Sequence, residues 1–380
     1  MSMWHWPIDP KDVPKIKVEP PGPKALDVVK RDEKLIMQSF GRWYPLVIRA
    51  GYGPVVEDVD GNLYIDMNAG IAVMGVGHSH PRIVKAIKEQ SELFTHYSLT
   101  DFYYDVAVKH AEELIGITPP ISGGEKRVFY TNSGTESIEG SLKISRGHFQ
   151  NQRPYVIAFL GAFHGRTYGS MSLTASKPVQ RRGGFNPITP NVIHVPYPYP
   201  YRCPFGNLDE AACGDAVIGY MEDWIFGKLV DPSEVAAVFF EPIQGEGGAT
   251  WFPPRNFFPP KLRSLADKHG FLLVDDEVQA GFGRTGKWMA IEHWGVEPDL
   301  IATAKAIAAG LPLGAIIGRS KVMDLPPKGS HANTFGGNPP VALAAGIEVI
   351  NVIKDEGGCW RTRPGWASSY ETGSGKRWTP

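Results

Sequence analysis

Lys305 stands alone in an apolar, glycine-punctuated run from Asp299 to Gly314. A second run, Phe271 to Gln279, ends in carboxylates and an amide: Asp275, Asp276, Glu277 and Gln279. A lone amine in an oily stretch costs free energy unless it is neutral or bonded. Two acids closing a buried-strand pattern point to placed charge. Together they suggest an amine that forms a Schiff base with an aldehyde cofactor, and an acid that keeps the cofactor's ring nitrogen protonated. Read alone, Lys305 is equally an exposed lysine at a strand end. The neighbouring segments shift the balance.

Asn132-Ser-Gly-Thr-Glu follows a strand-like run and opens a helical one. A turn of this kind turns backbone N–H groups and a hydroxyl, from Ser133, Gly134 and Thr135, toward an anion such as phosphate. Without a ligand it is an ordinary helix cap. Gly161-Ala-Phe-His-Gly-Arg-Thr also follows a strand pattern. Phe163 is suited to lie on a planar ring, and Arg166 to grip a carboxylate with two parallel hydrogen bonds. His164 reads as an acid–base group or as packing beside a ligand. Glu241-Pro-Ile-Gln-Gly-Glu-Gly-Gly places Glu246 where it would pair with an arginine or shape the pocket near a substrate amine. Asp276 is the stronger candidate for the ring nitrogen, Asp275 being harder to place, and Gln279 would donate to a phenolate oxygen. Thr334, in Asn333-Thr-Phe-Gly-Gly-Asn-Pro, would donate to a phosphate, across a subunit interface in one reading.

The elements that must position these groups alternate along the chain. Helical patterns cover 81–94, 105–115, 136–149, 209–227 and 256–269. Apolar runs at 127–131, 155–159, 192–195, 235–240, 271–274, 300–303 and 315–317 read as strands. Such alternation predicts a mostly parallel sheet covered by helices, with ligands beyond the carboxyl ends of its strands. Before it, 52–66 predicts two short strands around an Asp60-Gly61-Asn62 turn. Proline-rich residues 1–24 read as an extended arm. A further helix is expected over 340–354.

The chain has 380 residues and a formal net charge of −1, enough for two domains with a substantial core. Near-neutrality argues against a nucleic-acid surface. The absence of an apolar stretch of about 18 residues argues against a transmembrane helix, and the N-terminus does not read as a secretory signal. Cys203, Cys213 and Cys359 show neither metal spacing nor an even framework. A pairing of Cys203 with Cys213 stays open. A cytoplasmic protein is the expectation.

Taken in order, Asn132-Ser-Gly-Thr-Glu, Phe163-His-Gly-Arg-Thr, Glu241-Pro-Ile-Gln-Gly-Glu-Gly-Gly, Asp276-Glu-Val-Gln-Ala-Gly-Phe-Gly-Arg-Thr-Gly and Thr334-Phe-Gly-Gly-Asn-Pro resemble the class-III aminotransferases of the ornithine/4-aminobutyrate type, which use pyridoxal 5'-phosphate. The likeness runs from about Gly53 to Lys354. It implies the type I aspartate-aminotransferase fold, an α/β architecture with a mostly parallel large domain and a smaller α+β domain. The implied division is 1–75 for the arm and part of the small domain, 76–322 for the large cofactor-binding domain, and 323–380 for a linker, a helix and the rest. It implies small amino and oxo acids as partners and a homodimer or larger homo-oligomer with the site at the interface. By the same likeness Lys305 is the Schiff-base lysine and proton shuttle, and Asp276 the ring-nitrogen partner. Gln279 is the donor to the ring oxygen and Phe163 the stacking ring. Ser133, Gly134 and Thr135 hold phosphate in one subunit, Thr334 from the other. Arg166 holds a substrate carboxylate, Glu246 pairs with a gate arginine, and Ile71 lines the substrate channel. Ile65-Asp-Met-Asn-Ala-Gly-Ile-Ala-Val most resembles the 4-aminobutyrate enzymes, with 2-oxoglutarate as acceptor. Acetylornithine or ornithine aminotransferases are alternatives, and so are amino-acid racemases of the same scaffold. Certain of those racemases carry glutamine at the place of Arg166 and lack the threonine of Thr334, so this chain's pattern favours transamination.

Residues 357–380 depart from the pattern. They have no periodicity and are crowded with Gly, Arg, Ser and Trp. One set of synonymous codons, read one base earlier from Gly358, encodes an amphipathic helix instead. The expectation is a frameshifted ending without the family's gate arginine, and hence either a working enzyme or an inactive product that keeps only assembly contacts. Resequencing the gene tests the frameshift; a template with no plausible alternative frame removes it.

Overall fold

Ten strands and the helices between them make up the described part of the chain. The computed structural model describes residues 12–121, 124–182, 185, 189–247, 258–337 and 340–356. The tail at 357–380, and with it the frameshift question, lies outside the described residues.

Three strands near the N-terminus, β1 (Ile48–Tyr52), β2 (Val55–Asp58) and β3 (Leu63–Ile65), form a small antiparallel sheet. The turn at Asp60-Gly61-Asn62 joins β2 to β3, and Gly61 supplies its positive φ of 87°. Asp60 does a second job. Its two carboxylate oxygens accept from the backbone N–H groups of Lys24 (3.1 Å) and Ala25 (3.0 Å). That caps the helix Pro23–Leu35, so the predicted extended arm ends at Pro23, a residue pre-set for a first helical turn.

The second sheet has seven strands: β4 (Lys126–Thr131), β5 (Tyr155–Phe159), β6 (Val192–Val195), β7 (Val235–Phe240), β8 (Leu272–Asp276), β9 (Leu300–Thr303) and β10 (Gly314–Arg319). Their order is β4-β10-β9-β8-β7-β5-β6. From β6 to β9 the neighbours run parallel; β10 runs antiparallel to β9 and to β4. Every residue of β7 is buried. Alternate residues feed two cores, one on each face. Ile157, Phe159, Val238, Phe240, Leu273 and Ile301 enter one. Val156, Ala158, Phe239, Val274, Leu300 and Ile316 enter the other. This period of two follows from strand geometry. Each large apolar side chain so buried contributes about 1.5–3 kcal/mol.

The helix Gly134–His148 closes one face with Ile138, Leu142 and Ile144. The helix Pro340–Glu356 packs against Pro81–Leu93 and Asp105–Ile117 on the other. Arg82 links these layers by pairing with Glu348 and, at 2.9 Å, with Asp355. The segment expected as one helix at 209–227 is two. An α-helix runs over Glu210–Tyr220, capped by Asp209, and widens into a π-helix over Met221–Leu229. Cys203 and Cys213 form a disulfide, with Cα atoms 6.0 Å apart. Among the described residues no helix is long and apolar enough to cross a membrane.

Candidate active site

Five strands end at one edge of the large sheet, and each delivers a side chain there. Asn132, Ser133 and Gly134 follow β4; Phe163 and His164 follow β5; Glu241 follows β7. Asp276 closes β8, and Lys305 stands two residues past β9. Because β10 is reversed, its leading residues Leu311, Pro312 and Leu313 reach the same edge. Together they line a cavity of about 580 Å³.

The floor is a buried charge cluster. The imidazole of His164 donates from Nδ1 to Oδ2 of Asp276 at 2.8 Å. Oδ1 of Asp276 accepts from the Val278 N–H at 3.0 Å. Burial works to lower the His164 pKa, but the hydrogen bond and charge of Asp276, with the charge of Glu241, outweigh it and raise it. The Nδ1–H of His164 thus fixes the orientation of the Asp276 side chain, which faces the cavity. Glu241 accepts from the Phe163 N–H (2.8 Å) and the Gly245 N–H (2.9 Å), which ties the loops after β5 and β7. Burial, then the like charge of Asp276, pushes its carboxyl up to about 7.

Lys305 opens a 3₁₀ turn, Lys305–Ala308, with φ +52°. A lysine in left-handed backbone stores strain that the surrounding sheet must hold, a pattern typical of functional sites. Burial lowers its pKa against the opposing pull of Asp276, Glu241 and Glu246. Among the described residues its amine makes no hydrogen bond or ion pair, and its lowered pKa favours the neutral form that nucleophilic chemistry needs.

The opposite wall is the start of the helix Gly134–His148. Ser133 caps the helix Gly134–His148 through the Glu136 N–H, and first-turn N–H groups have no partner inside their own helix. Gly134 is required here, since a Cβ would lie 2.7 Å from Val278 Cγ1. Thr135 Oγ1 shares hydrogen bonds with Ser170 Oγ (2.6 Å) and Thr167 Oγ1 (2.9 Å) and accepts from the Arg166 N–H (3.2 Å). Glu139 secures this network by accepting from Thr167 Oγ1 and the Ser170 N–H (3.0 Å). The Arg166 guanidinium carbon stands 5.5 Å from the centre of the Phe163 ring.

Ser133, Gly134, Thr135, Phe163, His164, Arg166, Glu246, Asp276, Gln279 and Lys305 all line the cavity. Ile71 and Thr334 do not. Ile71 is 59 % exposed in a left-handed run from Ala69 to Ala72, whose successor Val73 does line the cavity. Thr334 lies in the loop that Asn333 ties to the Tyr130 carbonyl at 3.0 Å. Glu246 pairs with Lys177 at 3.5 Å. Sequence reasoning passed over Glu241 and Glu139. The signal for Glu241 was its place directly after a wholly apolar strand, where a carboxylate must be paired or protonated.

An amine without a partner among the described residues, a carboxylate held at fixed orientation and a helix N-terminus line one cavity. That donor set suits a phosphorylated aldehyde with a basic ring nitrogen, and the fold and site define a pyridoxal-phosphate enzyme of fold type I. The profile of Aminotransferase class-III matches residues 38–363. The chain belongs to that family, whose members are aminotransferases that act on small amino and oxo acids with pyridoxal phosphate as cofactor. It is 41% identical to an alanine/serine racemase of Pyrococcus horikoshii over 91% of this chain and 72% of the relative. It is 41% identical to a 4-aminobutyrate aminotransferase of Mycobacterium leprae over 90% of this chain and 75% of the relative. The ornithine aminotransferase of Toxoplasma gondii, solved with partial occupancy of PLP at its active site, superposes with a TM-score of 0.75 at 31% identity. The match covers 95% of this chain and 77% of that one.

Proposed function

We propose that this class-III aminotransferase transfers the amino group of an ω-amino acid such as 4-aminobutyrate to 2-oxoglutarate. The observation that carries the reading is Lys305 and Asp276 lining one cavity with Arg166. Ser133, Gly134 and Thr135 would hold the phosphate, Phe163 would lie on the ring, Gln279 would donate to the ring oxygen and Asp276 would keep the ring nitrogen protonated. When bound, pyridoxal phosphate supplies an aldehyde that captures the substrate amine and a cationic ring that withdraws electrons from the substrate carbon. Lys305 moves the proton at that carbon, which needs an amine that is neutral part of the time; its burial provides this. Arg166 receives a substrate carboxylate, and Glu246 with Lys177 borders its path. His164 holds Asp276 in place.

The racemase relative, as similar as the aminotransferases, supports a second reading in which the proton returns to the same carbon. Visible absorption of the loaded protein is expected to shift on adding 4-aminobutyrate. Borohydride is expected to fix the cofactor on a peptide containing Lys305, and Lys305→Ala to prevent it. No shift with any ω-amino acid, together with D-isomer formation from a single L-amino acid, favours the racemase. A folded, cofactor-free, inert product favours an assembly role alone. We further propose a homodimer, with exposed Met67, Tyr103 and Phe335 covered by a second copy and Thr334 facing its cavity. Sedimentation of a fully active monomer refutes it.

A further inference from the structure

The strand end that presents Asp276 carries two more carboxyl groups, and no role described so far uses them. Asp275 and Glu277 flank Asp276, and the ladder continues past it, since the Glu277 N–H donates to the Ala302 carbonyl at 2.9 Å. Alternation along a strand turns both side chains to the face opposite Asp276. There they are 0 % and 1 % exposed. Glu277 Oε1 accepts from the Ile291 N–H at 2.8 Å. The other three oxygens, Oδ1 and Oδ2 of Asp275 and Oε2 of Glu277, are buried without a hydrogen-bond partner among the described residues. Neither residue makes an ion pair there.

Two buried carboxylates with no cation are not a stable arrangement. Burial and mutual repulsion both favour the neutral form, and a proton on one supplies the donor that the other lacks. Among the described residues, the groups that act on the pair add no positive charge. Glu277 faces Asp276, Glu292 and the N–H groups of Ala290 and Ile291; Asp275 faces Glu277, Asp276 and Tyr197. Burial pushes the Asp275 carboxyl well above the usual range and Glu277 up to about 8.

We propose that Asp275 and Glu277 are a proton-sharing carboxyl pair that confines the negative charge of this strand end to Asp276, which makes them positioning residues for the cofactor's ring nitrogen. The second half rests on the reading of Asp276 given under Proposed function. Were both partners ionised, three adjacent negative charges would draw a proton onto Asp276 and remove the anion that faces the cavity.

The test begins with protein freed of cofactor. Asp275→Asn with Glu277→Gln imitates a neutral pair and can close the same hydrogen bond. The infrared spectrum of the wild type is expected to show a protonated-carboxyl carbonyl band that the double variant lacks. Both folded pKa values lie above the unfolded ones, so the stability from the pair is full below the unfolded carboxyl range, about 4, and is lost as pH rises from there to about 8, where Glu277 ionises in the folded protein. The fall in thermal midpoint across that range is expected in the wild type and absent from the double variant. The loaded wild type is expected to show an alkaline change in its visible spectrum as pH rises through about 8, and the double variant to lose it. Asp275→Asn alone serves if the double variant does not fold. An unchanged carboxyl band, or an unchanged fall in stability as pH rises to about 8, overturns the pair. An alkaline spectral change that persists in the variant overturns its role. Asp276→Asn separates the two claims: if it leaves the loaded spectrum untouched, the reading of Asp276 fails while the pair, judged without cofactor, stands.

Discussion

Replacing Asp276 with asparagine separates its charge from its shape. The carboxylate makes two hydrogen bonds, from Val278 N–H and from His164 Nδ1, and is 4 % exposed. Asparagine keeps the first. It keeps the second only by donating to a neutral imidazole, which moves the histidine's proton to Nε2, a buried atom with no partner. One unsatisfied buried donor costs about 1–3 kcal/mol, so a folded but weakened protein is expected. The larger effect falls on the cofactor. A hydrogen bond to a charged group contributes about 1.5–3 kcal/mol, and its loss lowers affinity about ten- to hundred-fold. Turnover is expected to fall further, because a ring nitrogen without its anion gives up its proton. The assay is a titration of cofactor-free protein with pyridoxal phosphate, read by visible absorption, beside thermal midpoints for both proteins and turnover at saturating cofactor. Wild-type affinity and turnover in a merely destabilised variant would falsify the assignment of Asp276.

Two further substitutions probe the frame. Gly165 has φ +134°, and a Cβ there would press on Thr135 Oγ1 and, at 2.5 Å, on Ser170 Oγ. Gly165→Ala is expected to cost about 1–3 kcal/mol in backbone strain and to weaken cofactor loading by displacing the Thr135 network; unchanged loading in phosphate-competition titrations counts against a phosphate-holding role for it. Asp299, 0 % exposed, pairs with Arg319 and with Arg263 at 2.8 Å and accepts from the Leu273 N–H at 2.7 Å. Asp299→Ala is expected to cost about 3–5 kcal/mol in urea denaturation, since Arg319 loses its counter-charge and Arg263 keeps only Asp267. A loss below about 1 kcal/mol places the cluster with ordinary surface pairs.

Much of the large sheet is legible in the chain because its central strands are buried on both faces. Tyr155–Phe159 and Val235–Phe240 are short unbroken apolar runs, Val192–Val195 and Leu300–Thr303 each hold one polar residue, and the observed limits of all four match the expected ones. The type I architecture follows from that pattern together with the motifs. Pro23–Leu35 went unread as a helix because its apolar residues, chiefly Ala25, Leu26, Val28 and Val29, are few among charges and directly follow the proline-rich segment, and only Ala25 is buried. β1 is equally faint, with no buried residue. The site was legible where a distinctive residue closes an apolar run, as for Asp276 and Lys305. Glu241, Glu139 and the Asp275–Glu277 pair were not, because what they do depends on burial and on partners from distant strands. Glu241 meets Phe163 across 78 residues of chain.

The reversal of β10 has a mechanical consequence for Lys305. Thr303 and Ala315 are directly paired, so the segment carrying the lysine is a closed loop stitched into the sheet at both feet. Its backbone has little room to travel between donor and acceptor half-reactions. The reach of the amine therefore comes from rotations along four methylene groups, like a lever arm on a bolted base, and the two half-reactions share one fixed pivot.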